Sequence, residues 1–189
     1  MNFDDLTYIM QNQLDKDFCK HVIEKFDKDD RKAPGVIGRG LDTSMKRSTD
    51  LYITKKEGWE EEDDIFYKSL SKNLDSYIDW LSEPYNHFAG NYPSEDTGYQ
   101  LQKTEPGEFY KYHHDQMGTR KLTFIWYLND IIEGGDTEFS SGLKIKPETG
   151  KIVIFPALWP WVHRGNPPKS ENKYICTGWV RSTDDADVS

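Results

Sequence analysis

Apolar positions recur at helical spacing in two places along the chain. In "LDKDFCKHVIEKFDKDD" Phe18, Val22, Ile23 and Phe26 fall on one helical face, and Asp15 stands where an N-cap carboxylate would meet the first turn. This pattern predicts a helix ending near Asp29. In "DDIFYKSLSKNLDSYIDWL" Phe66, Leu70, Leu74, Tyr77, Ile78 and Leu81 recur every three or four residues behind acidic capping residues, and Pro84 marks the stop. Between the two, "RKAPGVIGRGLDTSMKRSTD" is a loop by composition, with "LYIT" after it as a short strand. "NHFAGNYPSEDTG" is a second loop, and no internal repeat is present.

From Tyr99 onward the pattern changes to short apolar or alternating runs: "YQLQKT", "KLTFIWYL", "TEF", "LKI", "KIVIF" and "YICTGWV". They are separated by turn-rich stretches such as "EGGD", "SSG" and "PETG". Two helices followed by six or more short strands predict an α+β fold: a jelly-roll (double-stranded β-helix) core with the N-terminal helices packed on one outer face. The length of 189 residues fits one domain, with 1–98 as helical support and lid and 99–182 as the β core.

Charge and composition narrow the partners. A net charge of -9 provides no basic surplus for a phosphate backbone, so nucleic acid is not an expected partner. The opening "MNFDDLTYIM" is acidic where a signal peptide is basic, and no apolar run reaches the ~20 residues that span a bilayer. Only Cys19 and Cys176 are present, without CxxC spacing, which argues against a disulfide framework or zinc cluster. The expectation is a cytoplasmic protein without membrane partners. Aromatic residues, 14% of the chain and dense after residue 99, predict a well-packed core or an aromatic cavity in the second half.

The stretch "FYKYHHDQM" holds two of the five histidines. If it is extended, His113 and Asp115 share one face while His114 turns to the other. His163, the one histidine later in the chain, follows the strand "KIVIF" and supplies a third ligand from a distance. Two imidazoles and a carboxylate with open positions suit ferrous iron, and zinc hydrolases use similar sets, so the ligands alone do not select the metal. His21 and His87, in a helix and a loop, have no such partners. Ten residues after His163, Lys173 opens the strand "KYICTGWVR", where alternation places Lys173, Ile175, Thr177, Trp179 and Arg181 on one face. Lysine and threonine on an inward face would need an anionic ligand; alternatively, Lys173 begins the strand in solvent.

The order of "YQLQKTEPGEFYKYHHD", "RKLTFIWYLND", "EGGDTEF", "KIVIFP", "HRGNPP" and "KYICTGW" resembles the Fe(II)- and 2-oxoglutarate-dependent dioxygenases, within them the prolyl 4-hydroxylase branch, and small bacterial or bacteriophage members in particular. The resemblance implies His113, Asp115 and His163 as iron ligands and Lys173 as the partner of the far carboxylate of 2-oxoglutarate, assisted by Thr177 and Tyr127. Tyr110 matches an aromatic lining the iron pocket, and Arg120 and Trp179 match positions facing a peptide substrate. Many prolyl hydroxylases have a tyrosine where this chain has Thr104, and a water would have to bridge the shorter reach of its hydroxyl. Arg120 and Tyr127 are seven apart, on opposite faces of an ideal strand. Either Arg120 precedes the strand, a bulge intervenes, or one assignment fails.

The implied activity is dioxygenation of an unactivated C–H bond, above all in a peptidyl proline, as in procollagen-proline 4-dioxygenases. It would use Fe(II), 2-oxoglutarate and O2, with ascorbate as an accessory, and release succinate and CO2. The alternatives are a non-catalytic metal- and ligand-binding jelly roll and a dioxygenase of a free amino acid or metabolite. Sequence does not specify the oligomeric state.

Overall fold

A computed structural model describes residues 3–82, 85–86 and 94–183. The first helix, α1 (Lys16–Lys28), begins as expected: Asp15 is its N-cap, and the carboxylate accepts from the backbone N–H groups of Asp17 and Phe18. The second, α2 (Glu60–Trp80), starts earlier than its acidic residues suggest and is capped by Trp59 without a side-chain bond. Its four first-turn acids suit the positive end of the helix without closing it. Pro84 and His87 lie outside the described residues. His21 does have a partner: it meets Glu62 on α2 at 2.6 Å, and Lys25 meets the other carboxylate oxygen at 2.6 Å, so α1 and α2 are clasped together.

The chain forms two antiparallel sheets. The larger comprises β1 (Tyr8–Met10), β2 (Ala33–Pro34), β3 (Thr49–Tyr52), β4 (Ser94–Asp96), β5 (Gln100–Thr104), β7 (Arg120–Tyr127), β10 (Ile152–Pro156) and β12 (Lys173–Ser182). Its order is β1-β10-β7-β12-β5-β3-β2, with β4 also paired to β12. The smaller runs β6-β11-β8-β9, from β6 (Tyr110–His113), β11 (His163–Gly165), β8 (Thr137–Phe139) and β9 (Lys144–Ile145). This is the jelly roll that the strand pattern predicts. The first half contributes more than helices, because β1 to β4 all join the larger sheet. Two to four residues each, they are too short for alternation to register.

Alternation sorts the core into two layers. On β7, Phe124 and Trp126 face Phe66 and Tyr99 on the helix side, while Ile125 and Tyr127 pack between the sheets with Phe139, Val153 and Phe155. On β12, Cys176 and Val180 join the helix-side layer, and Ile175 packs against the inner one. The segment before β3 also belongs to the smaller sheet. Lys111 donates its backbone N–H to Met45 and Arg47 donates to Phe109, so residues 45–47 form a strap beside β6.

Candidate metal centre and adjoining cavity

Two strands of the smaller sheet bring the histidines together. β6 ends at His113 and β11 begins at His163, and the two residues are cross-strand partners. Asp115 follows two residues past the end of β6, so the extended stretch is shorter than expected, yet it still returns the carboxylate to the histidine side. One donor atom from each of the three residues lies within 4.8 Å of the others. The Asp115 oxygens stand 3.7 Å from His113 Nε2 and 3.6 Å from His163 Nε2, too far for good hydrogen bonds. His114 is exposed, as alternation requires.

The surroundings prepare these three groups as ligands. Nδ1 of His113 lies 2.8 Å from the Lys111 carbonyl and Nδ1 of His163 3.0 Å from that of Trp161. A carbonyl can only accept, so the proton sits on Nδ1 and each Nε2 offers its lone pair inward. Burial, together with neighbouring His163, pushes the His113 pKa down to about 4, which keeps the imidazole neutral. Burial alone would raise the Asp115 carboxyl, but the two imidazoles and a 2.8 Å bond from the Thr123 hydroxyl hold it below its ordinary value. Tyr110 stacks on His113 at 3.5 Å, and Phe139 and Phe155 flank His163. Two imidazoles turned with Nε2 inward and a carboxylate, each braced by an outer partner, fit a divalent first-row metal.

The same cavity is lined by Lys173, Ile175, Thr177 and Trp179 of β12, by Thr104 of β5 and by Thr123, Ile125 and Thr137. Lys173 is only 5% exposed, which removes the solvent reading of this residue. Its ammonium donates to the Gly135 carbonyl at 2.7 Å and lies 5.4 Å from the centre of the Tyr127 ring. Gly134 and Gly135 both adopt positive φ, 76° and 74°, so "EGGD" is a turn that also aims a carbonyl at Lys173. Burial pushes the Lys173 pKa down to about 8, against the pull of Asp136. It forms no salt bridge among the described residues. A buried cation with spare donors on a cavity wall is a site for an anion.

The remaining residues singled out from sequence divide clearly. Thr104 pairs in register with Lys173 and lines the cavity. Thr177 also lines it, with its hydroxyl donating to the Phe124 carbonyl at 2.8 Å. Tyr127 lies behind the wall: it is fully buried, and its hydroxyl donates to Thr137 at 2.7 Å, so Thr137 presents the hydroxyl to the cavity. Arg120 sits at the start of β7. A bulge where Val180 pairs with Leu122 but Arg181 with Arg120 shifts its parity, and the guanidinium stacks on Trp179 at 3.4 Å. Arg181 leaves the inward face for Glu95 on β4, 2.6 Å away. Sequence reading did not single out Thr123, Thr137, the strap residues Lys46 and Arg47, or Ser48, all of which line the cavity, although the region holding the last three was expected to supply a lid. For Thr123 and Thr137 the signal was present in their strand positions; for the strap there was none.

Fold and site together define a jelly roll with a candidate metal centre at one end of a buried cavity. Residues 99–181 match the 2OG-Fe(II) oxygenase superfamily, and the chain is similar to members of its prolyl 4-hydroxylase-like branch. Fe(II), 2-oxoglutarate and O2 are the cofactors of this class of enzyme. Among relatives, a probable prolyl 4-hydroxylase 3 of Arabidopsis thaliana is 22% identical over 95% of this chain and 70% of its own length. The viral collagen prolyl hydroxylase of Paramecium Bursaria Chlorella virus-1, solved as a 2OG complex, superposes with a TM-score of 0.70 at 22% identity, covering 94% of this chain and 97% of that one. A Trichoplax adhaerens prolyl hydroxylase, solved with a hypoxia inducible factor peptide fragment, gives 0.74 at 20% identity, covering 94% and 84%. These two likenesses are of fold. No helix among the described residues is long and apolar enough to cross a membrane.

Proposed function

We propose that the chain hydroxylates a peptidyl proline, with His113, Asp115 and His163 holding Fe(II) and Lys173 receiving the far carboxylate of 2-oxoglutarate. The carrying observation is that a buried lysine with no salt bridge among the described residues shares one cavity with the His-Asp-His cluster. In this family the bound iron and cosubstrate supply the oxidising power, coupling oxidative decarboxylation of 2-oxoglutarate to succinate with hydroxylation of the substrate. The protein's share is placement. Thr123 keeps Asp115 directed at the imidazoles through its 2.8 Å bond. Thr104, Thr137 and Thr177 set hydroxyls around Lys173, and the Tyr127 ring backs the ammonium from behind. The aromatic walls exclude water, which protects the site from unproductive oxidation.

Trp179 supports the peptide reading. It lines the cavity and carries the Arg120 guanidinium on its ring, and its buried indole N–H has no hydrogen-bond partner among the described residues. The relatives named above include enzymes of prolyl hydroxylation, one of them solved with a peptide. Two buried free thiols, Cys19 and Cys176, support a reducing cytoplasmic setting. The whole chain acts in this reading as one catalytic domain.

The test has two stages. Anaerobic addition of Fe(II) and 2-oxoglutarate should produce a visible charge-transfer band that His113→Ala abolishes and Lys173→Ala weakens; no band in the parent protein rejects the site assignment. With oxygen admitted and ascorbate present, proline-containing peptides should gain about 16 Da, one oxygen atom, in step with succinate. Succinate release with every peptide unmodified would reject proline as the substrate.

A further inference from the structure

The cavity at the metal centre is not isolated. A surface groove of 580 Å³ adjoins it, and Phe109, Tyr110, Gly165 and Asn166 line both. That volume exceeds what one side chain fills and lies in the range that accommodates a sizeable ligand. The groove runs between the strap, β6 and the segment after β11, with Met45, Phe109, Tyr112 and Pro167 as its apolar lining and Lys111 and Arg164 as its charged lining.

The charges along this path are unevenly matched. Arg164 is met by Glu138 at 2.9 Å, and the buried Lys46 by Asp50 at 2.6 Å. Arg47 and Lys111 have no salt bridge among the described residues. Both are exposed and lie beside the same ring, 5.4 Å and 5.9 Å from the centre of Phe109. The Arg47 Nε donates only to the Thr43 carbonyl. Asp42 feels the charge of Lys111 without forming a salt bridge to it, and its Oδ1 accepts from the Ser44 N–H and hydroxyl, at 2.9 Å and 2.6 Å. Glu105 is taken by Lys103 at 2.7 Å. On a chain of net charge -9, the mouth of the site is thus a local reversal of sign.

We infer that this groove takes an acidic peptide segment, whose carboxylates meet Arg47 and Lys111 while the residue to be hydroxylated enters the cavity. The inference rests on the hydroxylase reading for what happens at the iron, but not for what the groove binds. Two cations flanking an aromatic ring form a clamp for a carboxylate beside an apolar side chain, a pattern that a short acidic peptide presents. A nucleic-acid strand is disfavoured, because its many phosphates would meet only two cations without a salt bridge among the described residues here, and the acidic remainder of the chain would repel them. The proposal also accounts for the strap: the bonds from 45–47 to 109–111 hold Arg47 and Lys111 on one rim.

The experiment uses the full chain with Fe(II) and 2-oxoglutarate under anaerobic conditions. Three fluorescein-labelled proline peptides, identical except for glutamate, serine or lysine at the flanking positions, are titrated by anisotropy. The glutamate peptide should bind about tenfold tighter than the serine peptide, a difference of about 1.4 kcal/mol, and the lysine peptide weakest. The preference should collapse in about 1 M salt, where charges are screened beyond about 3 Å. R47E/K111E should reverse the order, and the milder R47Q/K111Q should level it. Equal affinity for the three peptides, a salt-independent preference, or an order unchanged in both variants overturns the inference. So does displacement of the glutamate peptide by an equal concentration of a single-stranded oligonucleotide of the same length. Charge-selective binding without hydroxylation on admitting oxygen supports the groove and rejects the proline reading. Hydroxylation indifferent to flanking charge does the reverse.

Discussion

Lys173 illustrates how one side chain trades stability for function. Its ammonium is buried with a single carbonyl acceptor and no salt bridge among the described residues, so the folded protein bears a desolvation cost that an anionic cosubstrate would repay. The unfolded chain keeps its proton up to about pH 10.5, whereas the folded chain gives it up near 8. Between those values the unfolded state binds more protons, so this group's contribution to stability rises with pH across the window. Lys173→Met should raise the melting temperature at pH 7, flatten that rise, and weaken 2-oxoglutarate by about 10- to 100-fold, as expected for loss of a charged hydrogen bond. A variant that melts lower and binds the cosubstrate normally would contradict both halves. Thr123→Val makes the opposite kind of test, because Thr123 would touch no substrate. Losing its bond to Asp115 should reduce Fe(II) affinity by about 10- to 100-fold in anaerobic titration, with little change in the KM for 2-oxoglutarate.

At the scale of elements, β12 is the strand on which the site depends, since it carries Lys173, Thr177 and Trp179 on its cavity face. Gly178 sits among them because no side chain fits: a Cβ there would meet the Gly98 carbonyl at 2.3 Å and the Phe124 ring at 2.5 Å. Gly178→Ala should destabilise the fold by about 1–3 kcal/mol in urea titration, through overpacking. Unchanged stability would mean that β4 and its neighbours yield freely. The long elements were legible in the sequence for plain physical reasons. In α1 a capping carboxylate and an apolar stripe coincide, and β7 and β12 are apolar-rich runs long enough, at eight and ten residues, to stand out. The shared face of His113 and Asp115 followed from strand alternation, even though β6 stops at His113. What stayed hidden has no local period. β2 is two residues long, and the strap 45–47 is defined by bonds to a strand some sixty positions later. Tyr127 shows a limit of the same reading, because alternation gives the face of a side chain but not how deep its hydroxyl ends.

For the molecule as a whole, the two sheets meet unequally. The larger sheet is backed by α1 and α2 through a wide aromatic layer, while the smaller has short strands and few rings of its own. Iron should therefore matter most to the smaller sheet. Stripping it with a chelator should lower the melting temperature, with the shift growing as free Fe(II) is raised, by the usual linkage of a ligand that binds only the folded state. Hydrogen exchange should quicken first in β6 and β11 and last in β7 and β12; uniform quickening would show instead that the sheets open as one unit. Behind this lies the register in which His113 faces His163. An ion shared by two facing residues of adjacent strands is a removable rivet, fastening chain segments that lie far apart in sequence and closing a long loop each time it is inserted. A protein so built is finished by its metal: newly made chains short of iron would keep a secure outer shell around a loosened inner sheet, and proteases would find their first cuts there.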